Sequence, residues 1–222
     1  MTFSFSTIEI RVLGCLIEKA VTTPDYYPLA LNALILACNQ KSNRNPEMQL
    51  DEKSLVQTLD RLRFDHQLVW SVTVPGHRGP KYKHGLLERW QLTAPQLAVL
   101  CELMLRGPQT VGELRTRTER LHAFNTLADV EATLQELINR PDGAMVVKLP
   151  REPGRKEPRY AHLLAGAVAS AVPHVASPPE PAGRPVPGDA EHLARMEQDL
   201  AALKVEIETV KTQIAEFRKK WE

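Results

Sequence analysis

The sequence predicts a mainly α-helical fold with small β-hairpins, laid out as two tandem halves, a linker and a C-terminal coiled-coil helix. Three observations carry this expectation. A segment of the first half recurs in the second, helix and strand signals follow the same order in both, and the C-terminal end carries a heptad pattern.

The most specific repeat is Pro75-Gly76-His77-Arg78-Gly79-Pro80-Lys81-Tyr82-Lys83-His84, matched by Pro153-Gly154-Arg155-Lys156-Glu157-Pro158-Arg159-Tyr160-Ala161-His162. A duplicated unit constrains architecture more firmly than local propensity does. The match extends upstream. Leu55, Thr58, Leu59 and Leu62 align without gaps with Val130, Thr133, Leu134 and Leu137, an apolar stripe at helical spacing in each half.

Each half opens on a capping box, Ser6 with Glu9 and Thr93 with Gln96, whose side chains satisfy the orphan amides of a first turn. The first helices are predicted over 6–20 and 93–106, the latter stopped by Gly107-Pro108. A second helix starts near Pro28 in one half and at Thr110, with Glu113 as its capping partner, in the other. The third helices run from Asp51 to about Asp65 and from about Leu127 to Arg140.

An alternating strand follows, with Leu68, Trp70, Val72 and Val74 on one face, or the shorter stretch from Met145 to Leu149. The chain turns through the Pro-Gly loop and returns with Tyr82 and His84, or Tyr160 and His162, on one face and the basic residue on the other. Three helices and a hairpin in that order are the winged-helix form of the helix-turn-helix. The predicted boundaries are 1–90 and 91–165 for the two winged-helix domains, each with its own core, 166–190 for a Pro/Ala-rich linker and 191–222 for the coiled coil.

In that last segment Leu193, Met196, Leu200, Leu203, Ile207, Val210, Ile214 and Phe217 alternate in steps of three and four, a seam that calls for a partner helix. A homodimer is the expected outcome. Docking of this helix back onto the winged helices is the alternative.

With 28 basic and 27 acidic residues the net charge is +1, so no global field marks a nucleic-acid coat or an enzyme for acidic substrates. Cys15, Cys38 and Cys101 lie far apart inside apolar helical patterns and form no CxxC pair, the usage of buried small hydrophobes in a reducing compartment. The start of the chain lacks the charged and apolar regions of a secretory signal, and no apolar run is long enough to span a bilayer. A cytoplasmic, membrane-free location is predicted.

Arg11 to Lys19, Val21 to Pro24, Tyr27 to Leu29 and Ala37-Cys38-Asn39-Gln40-Lys41-Ser42-Asn43-Arg44 together resemble the YceH family of bacterial proteins. Leu105 to Gly107, Gly112 to Arg115 and Arg151 to Arg155 extend the resemblance to about residues 6–164. It implies a tandem winged-helix fold and a bacterial cytoplasmic origin, and it carries over no catalytic or ligand-binding residue.

No Gly-rich phosphate loop, HExxH or GxSxG occurs, so no catalytic residue, cofactor or metal is predicted and the chain reads as non-enzymatic. His84 and His162, each two residues past a strand tyrosine, read as packed or hydrogen-bonded histidines. DNA binding is the first functional hypothesis, resting partly on the fold. In the first domain Lys41, Asn43, Arg44, Lys53, Gln57, Arg61, Arg78 and Lys81 are the candidate contacts to double-stranded DNA, joined by Arg155 and Lys156 of the second wing.

Asp51, Glu52 and Asp60 are interspersed among them, as on an ordinary solvated face. The third helix of the second half offers Ala128, Ala132, Gln135 and Glu136 instead, with Glu131 beside them, and would repel a phosphate. The rival hypothesis is a protein-interaction scaffold that uses the winged helices to dock a protein partner.

Overall fold

The computed structural model describes residues 4–76, 79–155 and 157–166. The expected coiled coil, the linker beyond Gly166, and the wing residues His77, Arg78 and Lys156 lie outside the described residues. What is described is mainly helical, with two small antiparallel sheets.

The first helix, α1 (Thr7–Thr22), starts where the capping box puts it: Glu9 Oε2 accepts from Ser6 N at 2.7 Å and Ser6 Oγ from Glu9 N at 3.3 Å. A 3₁₀ turn, Pro24–Tyr26, leads to the short strand β1 (Leu29–Ala30) and to α2 (Leu31–Cys38). The second helix thus begins at Leu31, after a strand that sequence periodicity is too short to reveal, rather than at Pro28.

Then come α3 (Glu52–Phe64), β2 (Val69–Val72), β3 (Lys81–His84) and the five-residue α4 (Leu86–Trp90). The second half repeats the order with α5 (Ala94–Arg106), α6 (Val111–Arg117), α7 (Leu127–Ile138), β4 (Val146–Lys148) and β5 (Tyr160–His162). Gly107, at φ +75°, ends α5 where an L side chain would be strained.

The duplication persists in the backbone pairing. In the order β1-β3-β2, Leu29 faces Tyr82 across the first sheet, and in the second half Gln109 bridges Tyr160 beside the β4-β5 pair. Leu68 N donates to Leu62 O at 2.8 Å as Met145 N does to Leu137 O at 3.0 Å. Gly85 N donates to Leu68 O, and Leu163 N to Met145 O, both at 2.8 Å.

One strand face differs from expectation. Val69 is buried and Trp70 is exposed, because the backbone leaving α3 already buries Leu68 and sets the pleat one residue out of phase. The Trp70 indole lies over Gly85, where a Cβ would stand 2.7 Å from the ring, and Lys83 Nζ sits 5.1 Å from its centroid.

The larger difference concerns the core. Both halves fall inside one compact unit, Met1–Pro173, and their buried residues form one continuous cluster rather than two. Every residue of α1 from Glu9 to Glu18 is buried, as is every residue of α5 from Gln96 to Leu105, so each helix serves its own half and the seam at once. Gly14 makes the approach possible: a Cβ there would lie 2.8 Å from Leu105 Cδ2.

Cys101 Sγ donates to Gly14 O at 3.4 Å across the seam, and Phe5 N donates to Leu164 O at 2.9 Å, tying the lead-in of α1 to the residues after β5. Among the described residues no helix is long and apolar enough to cross a membrane.

Candidate nucleic-acid interface

The helix α3 is capped by Asp51, whose Oδ1 accepts from Ser54 N at 2.7 Å. It buries Leu55, Thr58, Leu59 and Leu62 against the core. Helical geometry then turns Lys53, Val56, Gln57, Asp60, Arg61 and Phe64 to solvent, and all six are exposed. Among the described residues the side chains of Lys53 and Gln57 make no hydrogen bond or ion pair.

Arg61 is engaged from one side: its Nε lies 3.4 Å from Oε1 of the buried Glu9, with the side chain still 53% exposed. Arg63 pairs with Asp60 at 3.4 Å and lies over the Phe64 ring at 4.8 Å. In β3, Lys81 is half-buried opposite Val72 and Ala30, on the sheet face that also carries Lys83.

The loop from Asn39 to Asp51 corrects the sequence reading. Lys41 is exposed, but Arg44 turns inward and is not available to a groove, and Asn43 is half-buried with its Oδ1 engaged. Arg44 meets Glu18 through Nη1 to Oε1 at 3.2 Å and Nη2 to Oε2 at 2.6 Å, and its Nε donates to Ala37 O at 3.1 Å. Asn43, at φ +58°, accepts from Arg106 of α5 through its Oδ1, and Asn45 N donates to Leu105 O at 2.8 Å.

Arg11, also buried, donates from Nη1 to Cys38 O at 3.1 Å and from Nη2 to Pro46 O, holding the loop from inside. A stretch that reads as a basic surface loop is thus the clasp between the halves. Sequence inspection missed Arg11, Glu18 and Glu102. The available signal was three charged residues set within the largely apolar stretches 10–18 and 97–105, where an unpaired charge would be very costly.

In the second half α7 exposes Ala128, Glu131, Ala132, Gln135 and Glu136, and Glu136 Oε2 accepts from Gln96 Nε2 at 2.9 Å. Arg115 caps the next loop by donating to Asn125 O at 3.0 Å. Arg155 is exposed but pairs with Glu152 at 3.4 Å; with Arg151 and Arg159 it lines a cleft of about 420 Å³ beside Pro108 and Pro150.

The repeated histidines face the core. Burial lowers His84 and His162 to about 4, which keeps both neutral; His84 Nδ1 accepts from Leu86 N at 3.4 Å. The cysteines are free and buried, and among the described residues no cluster of three or more His, Cys, Asp or Glu is placed to hold a metal ion.

Against known proteins, residues 5–155 match the family model described as "Protein of unknown function, DUF480". A UPF0502 protein of Geotalea uraniireducens is 48% identical over 222 residues, covering 100% of both chains. UPF0502 proteins of Pelobacter propionicus and Geobacter sulfurreducens are each 47% identical over the same 222 residues and also cover 100% of both chains. These matches bear out the resemblance first read from Ala37 to Arg44 and its neighbours: the chain belongs to the DUF480, or UPF0502, family of bacterial proteins.

Proposed function

We propose that this chain is a non-enzymatic, cytoplasmic DNA-binding protein whose two halves are winged-helix units, with the outward row of α3 and Lys81 as its contact surface. The observation that carries this reading is that Lys53 and Gln57 stand exposed and uncommitted on α3. In helix-turn-helix proteins, the helix in that position enters the groove. The free, buried thiols of Cys15, Cys38 and Cys101 support a reducing location.

Magnitudes favour a dimer. Among the described residues, with Arg44 withdrawn, Lys41, Lys53, Arg61 and Lys81 are the accessible candidate cations of the first half. A protein making about 6 to 10 phosphate contacts can reach useful affinity at physiological salt, and a second chain would double the contacts these residues offer. The homodimer in this reading rests on the heptad seam from Leu193 to Phe217. In the full-length protein, Leu200→Asp with Ile207→Asp should halve the mass seen by light scattering; an unchanged mass rejects that seam as the dimer contact.

A second reading, docking of a protein partner, is favoured by the same helix. Phe64 is 67% exposed, Val56 is exposed beside it, Leu36 of α2 is 71% exposed, and Asp60 would repel a phosphate. Fluorescence anisotropy of the full-length protein with labelled duplex DNA, titrated from low to physiological salt, separates the two. Binding with a steep salt slope that Lys53→Glu with Gln57→Glu abolishes, at unchanged circular dichroism, supports DNA. No binding at low salt, or binding indifferent to those substitutions, rejects α3 as a DNA reader and leaves docking.

A further inference from the structure

The clasp between the halves, together with the Glu113 pairs beside it in the second half, holds more cations than carboxylates. Glu18 is shared by Lys19 at 3.6 Å, Arg44 at 2.6 Å and Arg120, which reaches across from the loop after α6. Glu102 is shared by Arg106 at 3.1 Å and Arg120 at 3.7 Å, and Glu113 by Arg117 at 3.4 Å and Arg159 at 3.8 Å. Six cations therefore lean on three carboxylates, in a chain whose net charge is only +1.

Arg106 and Arg120 meet on Glu102, and Arg117 joins them through Gln109, whose Oε1 accepts from Arg117 Nη1 at 2.8 Å and whose Nε2 donates to Glu102 O at 3.0 Å. Burial depresses the Arg106 guanidinium; Glu102 opposes that shift, and the like charges of Arg117 and Arg120 add to it. Even the Arg106 pair is incomplete: Arg106 Nε and both oxygens of Glu102 are buried without an aligned hydrogen-bond partner. The floor of the cluster is dry, with the side chains of Arg44, Glu18 and Glu102 at 0%, 1% and 0% exposure, while those of Arg106, Arg117 and Arg120 reach 22%, 34% and 38%.

A dry floor strengthens the repulsion among guanidiniums, and a wet rim lets an anion relieve it. Guanidinium forks match phosphate oxygens in pairs and outperform a point charge for that ligand.

We propose that the rim formed by Arg106, Arg117 and Arg120 binds a phosphate group, either free in solution or carried on a nucleic-acid backbone. The site uses none of the α3 residues and stands whether or not α3 reads DNA. An occupant neutralises the excess charge of the clasp and engages the solvent-facing donors of the three arginines. It leaves their carboxylate bonds in place.

The test is a side-chain NMR titration of the full-length protein, following the arginine Nε–Hε signals as inorganic phosphate is added, with sodium chloride at matched ionic strength as the reference. The proposal expects saturable shifts at Arg106, Arg117 and Arg120 that chloride does not reproduce. Arg117→Gln with Arg120→Gln should weaken phosphate binding about tenfold or more, and Arg89→Gln should leave it unchanged.

A short oligonucleotide that moves the same signals at lower concentration assigns the phosphate to a nucleic-acid backbone; failure of the oligonucleotide to do so assigns it to a free phosphate. Shifts that chloride reproduces, shifts confined to other arginines, or affinity retained in the double variant overturn the site. Should that variant fail to fold, the wild-type shifts alone decide between these outcomes.

Discussion

Glu18 and Arg44 face each other through two parallel hydrogen bonds, 3.2 Å and 2.6 Å, with both side chains withdrawn from water. Removing one partner of such a buried pair costs up to about 3 to 5 kcal/mol, and less where Arg120 and Lys19 still face Glu18. Arg44→Ala and Glu18→Gln should each lower the urea midpoint accordingly, and an effect near zero would show the clasp to be dispensable. A loss of DNA affinity in an Arg44 variant therefore reports on folding first.

The same pair gives a pH dependence. Burial pushes the Glu18 carboxyl up, but the Arg44 hydrogen bonds and charge, with Arg120 and Lys19, pull it below its usual value of 4.5. A depressed carboxylate stabilises the fold above the unfolded-state value, and that contribution disappears as pH falls through the folded one. Wild type should thus lose more stability than Glu18→Gln between pH 7 and pH 3, measured as urea midpoints. Parallel profiles would contradict the assignment.

His84 and His162 act in the same direction over a higher window. Both sit at about 4 in the fold against an ordinary 6.5, so the unfolded chain takes up protons first as pH drops. The melting temperature should begin to fall below about pH 6.5, by the unfolded histidine value. Replacing both with Gln should flatten that part of the profile. A wild-type melting temperature constant from pH 7 to 4.5 would show that neither histidine is held neutral.

Gly14 decides whether α1 and α5 can touch. Gly14→Leu would drive a side chain into Leu105 and Met104 in a close-packed seam, an overpacking cost of about 1 to 3 kcal/mol. Because the core is continuous, the loss should appear as a lower midpoint of a single denaturation transition. Two separated transitions would argue that the halves melt independently.

Thr110 tests a local element against this. Its Oγ1 accepts from Glu113 N at 3.2 Å while Glu113 Oε2 accepts from Thr110 N at 2.9 Å, so Thr110→Ala should cost about 1 kcal/mol. A change below a few tenths in the urea-derived free energy would mean that packing alone sets the start of α6.

Such caps were legible in the sequence because their chemistry is complete within four residues. Ser6 with Glu9 and Thr110 with Glu113 begin their helices where the pattern put them. The seam was not legible, because its partners are far apart in the chain: Arg44 to Glu18, Asn45 to Leu105, Arg120 to Glu18. A loop rich in Asn, Lys and Arg has the composition of a surface, and composition cannot say that one arginine folds back onto a helix already passed. The apolar stretches of α1 and α5, residues 12–17 and 97–101, held the missing hint, since a helix facing only its own half would show a polar side.

The hydrogen bond from Phe5 to Leu164 brings the two ends of the repeat side by side. A chain opened between Trp90 and Thr93, with Gly166 joined through a short bridge to Ser4, would visit the same neighbours in the opposite order. What the fold requires is that both copies be present and closed on each other; which of them is synthesised first is a matter of where the ring happens to be cut.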